Sequence, residues 1–166
     1  MLIERKNIAA ECDRLRAEHK KIVFTNGCFD LLHVGHVRYL TAARALGDLL
    51  IVGLNSDSSV RMLKGADRPI NNQNDRAEIL SGLRAVDHVV IFDERTAENL
   101  IAEVKPDIYV KGGDYDLSTL PEAKIVQSYG GRVEFIDLVA GRSTTGIIKR
   151  LRAESTTPRL KTGACS

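Results

Sequence analysis

The sequence predicts an α/β fold, a single Rossmann-like, doubly wound domain built on a parallel sheet of five strands. Apolar runs of strand length alternate with segments of helical spacing, and this alternation favours a parallel sheet with helices on both faces. The run DLLIVGLNS at 48–56 is apolar throughout its middle, as expected of a strand that is covered on both faces. Right-handed connections between the strands complete the doubly wound arrangement.

Each element has its own signal in the sequence. The predicted strands are apolar runs at 21–25, 48–56, 88–92, 107–113 and 132–137. The predicted helices, several of which carry apolar side chains at spacings of three and four, lie at 3–20, 37–46, 75–83, 96–104, 121–129 and 143–151. Asp75 and Glu78 have the spacing of a capping box, and Thr96 is a second candidate N-cap. The stretch KGADRPINNQN at 64–74 is polar and contains Gly and Pro, which predicts a mobile loop.

Composition and charge narrow the function classes. A chain of 166 residues can bury the core of one domain, and we divide it into an N-terminal helix at 1–20, a main domain at 21–153 and a disordered tail at 154–166. The 24 basic and 22 acidic residues give a net charge of +2, which does not favour a nucleic-acid partner. Three scattered cysteines without a CxxC pair favour the cytoplasm and argue against structural zinc. No signal peptide or membrane-spanning run is predicted.

Polar stretches follow three of the predicted strands. They are TNGCFD at 25–30, LNSD at 54–57 and KGGDY at 111–115. In an open parallel sheet, ligands bind beyond the carboxyl ends of the strands. The three stretches are therefore predicted to converge on one ligand site at one edge of the sheet.

Two histidines at the start of the second helix are the first candidates for chemistry. His33 and His36 are three residues apart, which puts both on one face of a first helical turn. Gly35 lets a ligand approach the backbone closely, and the free N–H groups of a helix start favour an anion. The pattern indicates a phosphate cradle in which the imidazoles donate hydrogen bonds, with the protonated rings favoured by the phosphate. Two histidines without a shared ligand are the alternative, and a metal site would need a third ligand.

A resemblance extends this interpretation. GCFDLLHVGH at 27–36 resembles the GxFDxxHxGH signature of the nucleotidyltransferase (cytidylyltransferase-like) superfamily, and RSTTGIIKRL at 142–151 resembles its second signature. With LNSD, LKG, DRP and KGGDY between them, residues 21–153 are similar to the D-glycero-β-D-manno-heptose 1-phosphate adenylyltransferases. In many bacteria this domain is fused to a sugar kinase. The chain is too short to hold one, so it resembles the stand-alone form.

The resemblance implies transfer of the adenylyl group from ATP to the sugar 1-phosphate. The products would be pyrophosphate and ADP-heptose, for the inner core of lipopolysaccharide. A phosphate monoester carries about −1.5 to −2 charges at neutral pH, so the nucleophile needs no general base. The resemblance also implies Mg²⁺ held through the phosphates, a cytoplasmic location, a homodimer, and a separate sugar kinase and phosphatase upstream, without a nucleic-acid or membrane partner.

The resemblance assigns roles to individual residues. His33, His36 and Lys64 would stabilise the transition state. The candidates for nucleotide binding are Asn26, Gly27, Cys28, Phe29, Gly35, Lys111, Gly112, Ser143, Thr144 and Thr145. The candidates for substrate binding are Asp30, Asn55, Asp57, Arg76, Gly113 and Asp114. Lys64 and Arg76 could equally be solvated, and Asp30 could be an ordinary helix-capping carboxylate.

Two other functions stay open. A cytidylyltransferase acting on glycerol 3-phosphate or another small phosphoalcohol would differ by a few base contacts that the sequence does not expose. A non-catalytic nucleotide-binding module is compatible with the fold alone. Against that module, the GxGxxG fingerprint of dinucleotide-binding domains is missing after the first predicted strand, where TNGCFD stands.

Overall fold

A six-stranded parallel sheet forms the centre of the molecule. The computed structural model describes residues 1–113, 117, 120–137 and 143–155. Its strands are β1 (Leu2–Ile3), β2 (Ile22–Gly27), β3 (Leu49–Asn55), β4 (His88–Phe92), β5 (Ile108–Gly112) and β6 (Arg132–Ile136). Its α-helices are α1 (Ile8–Ala17), α2 (Val34–Arg44), α3 (Asp57–Lys64), α4 (Gln73–Ser81), α5 (Glu98–Val104), α6 (Pro121–Ser128) and α7 (Thr144–Ser155). In the sheet the strands lie in the order β1-β4-β3-β2-β5-β6.

Each face of the sheet has its own apolar core, because successive strand residues point to opposite faces. On one face, Phe24 and Tyr109 pack with α1, α5 and α6. On the other, Val23 and Val110 pack with α2 and α4. Every residue of β3 is buried, as its apolar run predicts. The predicted α/β class and Rossmann-like arrangement are therefore confirmed.

The N-terminal segment differs from the prediction of one helix at 1–20. Leu2 and Ile3 form a sixth strand, which pairs in parallel with β4 at the edge of the sheet. A short 3-10 turn at Arg5–Asn7 follows, and the α-helix begins only at Ile8. A strand of two residues is too short to produce an apolar run, so the sequence pattern predicts five strands instead of six.

The helices begin and end at positions that differ from several predictions. α4 begins at Gln73 because the Asn72 side chain accepts hydrogen bonds from the N–H groups of the first turn, which replaces the predicted Asp75 cap. Thr96 does not cap α5; its hydroxyl donates to the Glu98 carboxylate. α7 runs beyond its predicted end to Ser155, and the remaining predicted tail at 156–166 lies outside the described residues. Among the described helices, none is long and apolar enough to cross a lipid bilayer.

The segment between β3 and β4 contains a helix that the sequence pattern does not predict. The Ser56 hydroxyl caps α3 by accepting a hydrogen bond from the Ser59 N–H. Only Ser59 and Val60 of its eight residues are buried, so the apolar spacing that reveals a helix is missing. The loop predicted at 64–74 is therefore shortened to 65–72, and Lys64 is the last residue of α3.

The carboxyl edge of the sheet brings the three polar stretches together. β2 pairs with β3 on one side and with β5 on the other, so the direction of the chain through the sheet reverses beside β2. Open α/β sheets bind ligands at such a reversal point. The register places Gly27 opposite Leu54 and Thr25 opposite Val110, which aligns the strand ends that carry TNGCFD, LNSD and KGGDY. Their predicted convergence is confirmed.

Candidate active site

A cavity of about 490 Å³ lies at the carboxyl edge, beyond the ends of β2, β3 and β5. The predicted site residues that line it are Asn26, Gly27, Cys28, Phe29, Asp30, His36, Asn55, Lys64, Lys111, Gly112, Thr144 and Thr145. The predicted residues that are not part of its lining are His33, Gly35, Asp57, Arg76, Gly113 and Ser143. Asp114 lies outside the described residues. The cavity thus unites side chains from the first motif, the three strand ends and the start of α7.

Local backbone hydrogen bonds fix the two histidines. His33 is the N-cap of α2, and its Nδ1 accepts a hydrogen bond from the Gly35 N–H at 3.1 Å. The Nδ1 of His36 accepts one from the His33 N–H at 3.3 Å, and the two rings stack with centroids 3.9 Å apart. Since each Nδ1 is an acceptor, each neutral ring carries its proton on Nε2. His36, whose ring lines the cavity, can therefore donate a hydrogen bond to a ligand oxygen.

The charge of His36 depends on what occupies the cavity. Burial, followed by the neighbouring charge of His33, lowers the pKa of His36 to about 4. His36 is therefore neutral at physiological pH in the ligand-free protein. A bound phosphate would act in the opposite direction, because a nearby anion favours the protonated ring.

The aromatic ring of Phe29 packs against the turn that carries the two histidines. Phe29 adopts a left-handed backbone conformation, with φ at 41°, and its ring meets the His36 ring edge-on at a centroid distance of 5.5 Å. A Cβ atom on Gly27 would lie 3.1 Å from the Phe29 ring, so a side chain there would displace it. Gly27 and Phe29 therefore act together to set the position of the His36 ring.

The start of α7 lies against the histidine turn. The Ser143 hydroxyl accepts a hydrogen bond from the Gly146 N–H, as an N-cap does. The Thr144 hydroxyl donates to the Leu31 carbonyl at 2.9 Å, across 113 positions of the chain. Thr144 and Thr145 both line the cavity. The two sequence motifs are therefore neighbours on one cavity, which also meets the positive N-terminal end of α7.

Asp30 ties the loop at 65–72 to the histidine turn. Its carboxylate accepts hydrogen bonds from Arg68 Nε at 2.6 Å and from the N–H groups of Ile70 and Asn71 at 2.8 and 3.1 Å. Burial by itself would raise the pKa of this carboxyl group, but the three hydrogen bonds and the Arg68 charge lower the pKa below its ordinary value. Asp30 is thus an ionised anchor for the loop. The loop itself brings Arg68 to the cavity.

The described residues do not offer a metal centre made of protein side chains. Within the described ranges, no group of three or more histidine, cysteine, aspartate and glutamate residues could hold a metal ion. The Asp30 oxygens are already occupied by donors from the loop.

The Arg76 side chain is buried, joins the ends of two strands through hydrogen bonds, and does not line the cavity. Its guanidinium group donates hydrogen bonds to the carbonyls of Cys28 and Asn55 at 2.6 and 2.8 Å and to the Asp57 carboxylate at 2.8 Å. A further bond reaches the Asn71 carbonyl. Its side chain is 0% exposed, which excludes the solvated alternative. Arg76 therefore joins the carboxyl ends of β2 and β3 to the start of α4.

A second polar cluster lies at the ends of β2 and β5. The Tyr109 hydroxyl donates to the Asn26 Oδ1 at 2.7 Å, and Lys111 Nζ lies 3.0 Å from the Tyr109 oxygen and 3.3 Å from the same Oδ1. The Glu122 carboxylate lies 3.9 Å from Lys111 Nζ. Burial lowers the pKa of Lys111, and the nearby Glu122 carboxylate opposes that shift.

Sequence reasoning missed several residues that line the cavity. They are Tyr39, Leu63, Arg68, Arg95 and Glu122. Arg68 stands in the DRP stretch of the resemblance, which was a usable signal. Glu122 lies in the first turn of a helix, where an acidic residue is ordinary, so its position in the cavity has no signature in the sequence.

A comparison with protein families identifies the family of this chain. A family model described as Cytidylyltransferase-like matches residues 24–153, which is most of the chain. The chain belongs to the cytidylyltransferase-like family. The family predicted from the two motifs is therefore confirmed.

Individual relatives are similar over most of the chain. The chain is 60% identical to the bifunctional protein HldE of Syntrophotalea carbinolica over 136 residues, which cover 82% of the chain and 28% of that protein. It is 56% identical to the bifunctional protein HldE of Geobacter sulfurreducens, covering 87% of the chain and 29% of that protein. The chain thus spans less than a third of the length of these relatives.

A solved structure has the same fold. It is described as the crystal structure of the lipopolysaccharide core biosynthesis protein from Thermoplasma volcanium GSS1. The TM-score is 0.61 at 31% sequence identity, and the match covers 72% of this chain and 97% of the other.

Proposed function

We propose that the chain transfers the adenylyl group from ATP to D-glycero-β-D-manno-heptose 1-phosphate, which yields ADP-heptose and pyrophosphate. The observation that carries the proposal is the contact between the two motifs, through the hydrogen bond from Thr144 to the Leu31 carbonyl beside the paired histidines. That contact allows one triphosphate to reach both the imidazoles and the start of α7. The similarity to the bifunctional HldE proteins supports this choice of acceptor. So does the similar solved structure, which is described as a lipopolysaccharide core biosynthesis protein.

The reaction requires positioning and charge stabilisation instead of a protein nucleophile. A phosphate oxygen of the sugar 1-phosphate forms a bond to the α-phosphorus of ATP, while the bond from that phosphorus to the bridging oxygen breaks and pyrophosphate leaves. The attacking phosphate is already ionised, so no proton has to be removed from it. The site must hold two polyanions in line and stabilise the charge that moves onto the leaving oxygens.

The described residues can supply that stabilisation. His36, oriented by its Nδ1 bond and by the stacked His33, would donate its Nε2–H to phosphate oxygens. Lys64, at the end of α3, and Arg68, held by Asp30, also line the cavity and would supply positive charge. Thr144 and Thr145 would receive the terminal phosphates at the start of α7. Mg²⁺ bound through the phosphate oxygens would add further charge neutralisation.

Asp57 and Arg76 take supporting roles in this proposal. Arg76 donates hydrogen bonds to the carbonyls of Cys28 and Asn55, two residues on the floor of the cavity, and to the carboxylate of Asp57, the first residue of α3. Their contribution to turnover would be indirect, through the shape of that floor.

One panel of reactions tests the proposal. ATP, CTP and GTP are each combined with heptose 1-phosphate, mannose 1-phosphate and glycerol 3-phosphate, and pyrophosphate release is measured. The proposal expects the highest kcat/KM for ATP with heptose 1-phosphate. A preference for CTP with glycerol 3-phosphate would establish the cytidylyltransferase alternative, and nucleotide binding without pyrophosphate release in any pair would establish a non-catalytic module.

A further inference from the structure

The cavity has two halves that lie on different faces of the sheet. The first, which we name the phosphate half, contains His36, Thr144 and Arg68. The second, which we name the α6 half, contains Asn26, Lys111 and Glu122. The two faces separate at β2, where Thr25 contacts Tyr39 of α2 while the next residue, Asn26, receives the Tyr109 hydroxyl on the opposite face.

The α6 half presents both donors and acceptors. Oδ1 of Asn26 accepts hydrogen bonds from Tyr109 and Lys111, which occupies both of its lone pairs. Within the described part of the chain, the Asn26 amide nitrogen makes no hydrogen bond, so its two N–H groups remain for a ligand. Lys111 Nζ adds a third donor group to the same wall of the cavity.

Glu122 supplies the acceptor. The residue is 5% exposed, and its nearest positive charge, Lys111 Nζ, is 3.9 Å away, which is beyond hydrogen-bond distance. Its carboxylate accepts no hydrogen bond from any of the described residues, although Glu122 borders the cavity. A buried carboxylate needs donors, so a ligand that brings hydroxyl hydrogens would satisfy it.

These groups suit hydroxyls better than phosphates. A phosphate offers only acceptor oxygens and negative charge, and the Glu122 carboxylate would repel it. A hydroxyl group both donates and accepts, which matches a wall made of a carboxylate, an amide and an ammonium group. In the phosphate half, by contrast, the Asp30 carboxylate is already bonded to Arg68 and to loop N–H groups.

We propose that Asn26, Lys111 and Glu122 form the subsite for the hydroxyl groups of the acceptor sugar, with Glu122 as the residue that determines specificity for a sugar phosphate. This assignment replaces the sequence-based expectation that Asn26 and Lys111 bind the nucleotide. The inference rests on the proposed function and names the acceptor half of that site. In an in-line transfer, the nucleophile approaches the α-phosphorus from the side opposite the leaving pyrophosphate. With the pyrophosphate in the phosphate half, the acceptor enters from the α6 half.

The test is the Glu122→Gln variant, which preserves the shape of the side chain and removes its charge. The KM for heptose 1-phosphate should rise about tenfold or more, because a neutral amide replaces the charged acceptor, while the KM for ATP stays within about twofold. Discrimination against glycerol 3-phosphate, measured as the ratio of kcat/KM values, should fall by a similar factor. The control is Glu98→Gln, because Glu98 also lies in the first turn of a helix but is not part of the cavity lining.

Other results of this experiment would overturn the subsite, either alone or together with the proposed function. An unchanged KM for the sugar phosphate in Glu122→Gln, with normal turnover, would overturn the subsite while leaving the proposed function intact. A rise only in the KM for ATP would also overturn it and would assign these groups to the ribose hydroxyls. A wild-type protein without turnover of ATP and heptose 1-phosphate would overturn the proposed function and this inference together. Glu122→Ala, with its thermal unfolding midpoint measured alongside, separates loss of binding from loss of folding.

Discussion

Two walls of the cavity are held in place by different kinds of contact. The histidine wall, residues 33–36, is fixed by hydrogen bonds between neighbours in the chain. The loop wall, residues 65–72, is fixed by Asp30 and Arg76, whose hydrogen bonds reach up to 48 positions along the chain. The histidine wall can therefore change without disturbing the fold, whereas the loop wall and the fold depend on the same buried polar groups. We therefore expect substitutions in the histidine wall to lower turnover more than stability. Substitutions of the residues that hold the loop wall should chiefly lower the free energy of unfolding.

The largest effect on stability is expected at Arg76. Replacing Arg76 with alanine would leave the Cys28 and Asn55 carbonyls and the Asp57 carboxylate without their buried donor. Breaking a buried pair by removing one partner lowers the free energy of unfolding by about 3–5 kcal/mol. Urea denaturation measures the change, with Arg61→Ala as the control, because Arg61 is exposed on α3. Equal stability of the two variants would break the comparison between the walls.

The largest effect on turnover is expected at His36. Asparagine at this position removes the Nε2 donor, and loss of one preorganised donor lowers kcat by about 100- to 1000-fold. The free energy of unfolding should change by less than about 1.5 kcal/mol, since the lost contacts are local and partly exposed. Steady-state kinetics and urea denaturation are both measured on the same preparation. The control is His19→Asn, because His19 is exposed and its left-handed backbone suits asparagine.

The contribution of Asp30 to the stability of the loop wall should depend on pH. Asp30→Asn should lower the free energy of unfolding at neutral pH by about 1–3 kcal/mol, through the weakened bonds to Arg68 and the loop. The pKa of Asp30 in the folded protein is below its ordinary value of 3.8, so its stabilisation is complete above that pH and is lost as the pH falls through the lower, folded value. Urea denaturation of both proteins at neutral and acid pH should show the difference shrinking in acid. A constant difference would mean that the Asp30 charge does not anchor the loop.

A smaller effect is expected from the protonation of His36. Its pKa is lowered from 6.5 to about 4 in the folded protein, so between these values the unfolded chain binds a proton that the folded chain does not. Stability should therefore fall as the pH is lowered through this window. His36→Asn should show a shallower decline between about pH 7 and pH 5 in urea denaturation. Parallel pH curves for the two proteins would contradict the burial of a neutral imidazole.

The two walls also differ in how far the sequence predicts them. The histidine wall can be predicted from residues close together in the sequence, since the spacing of His33 and His36 places both rings on one helical turn. The loop wall depends on a long-range carboxylate and a buried arginine, and neither has a local signature. Arg76 in particular looks like an ordinary first-turn residue of α4. Its burial follows from tertiary contacts with the ends of β2 and β3.

The helices and strands likewise divide into those that the sequence pattern predicts and those that it misses. Strands with apolar runs, such as β3, are predicted because their burial is visible in the composition of a short segment. The edge strand β1 and the helix α3 are missed, because each buries too few side chains to leave a pattern. Glu122 is missed for a related reason, since this residue of α6 gains its importance from Lys111, which lies on β5.

The most direct test follows the adenylyl group itself. Wild-type protein and His36→Asn are incubated with ATP labelled at the α-phosphorus, with and without heptose 1-phosphate, and the labelled products are separated. We expect the label to pass into a sugar nucleotide only when heptose 1-phosphate is present, and at least about 100-fold more slowly in the variant. Label that remains in ATP, or that is released as AMP irrespective of the sugar phosphate, would contradict adenylyl transfer at this cavity.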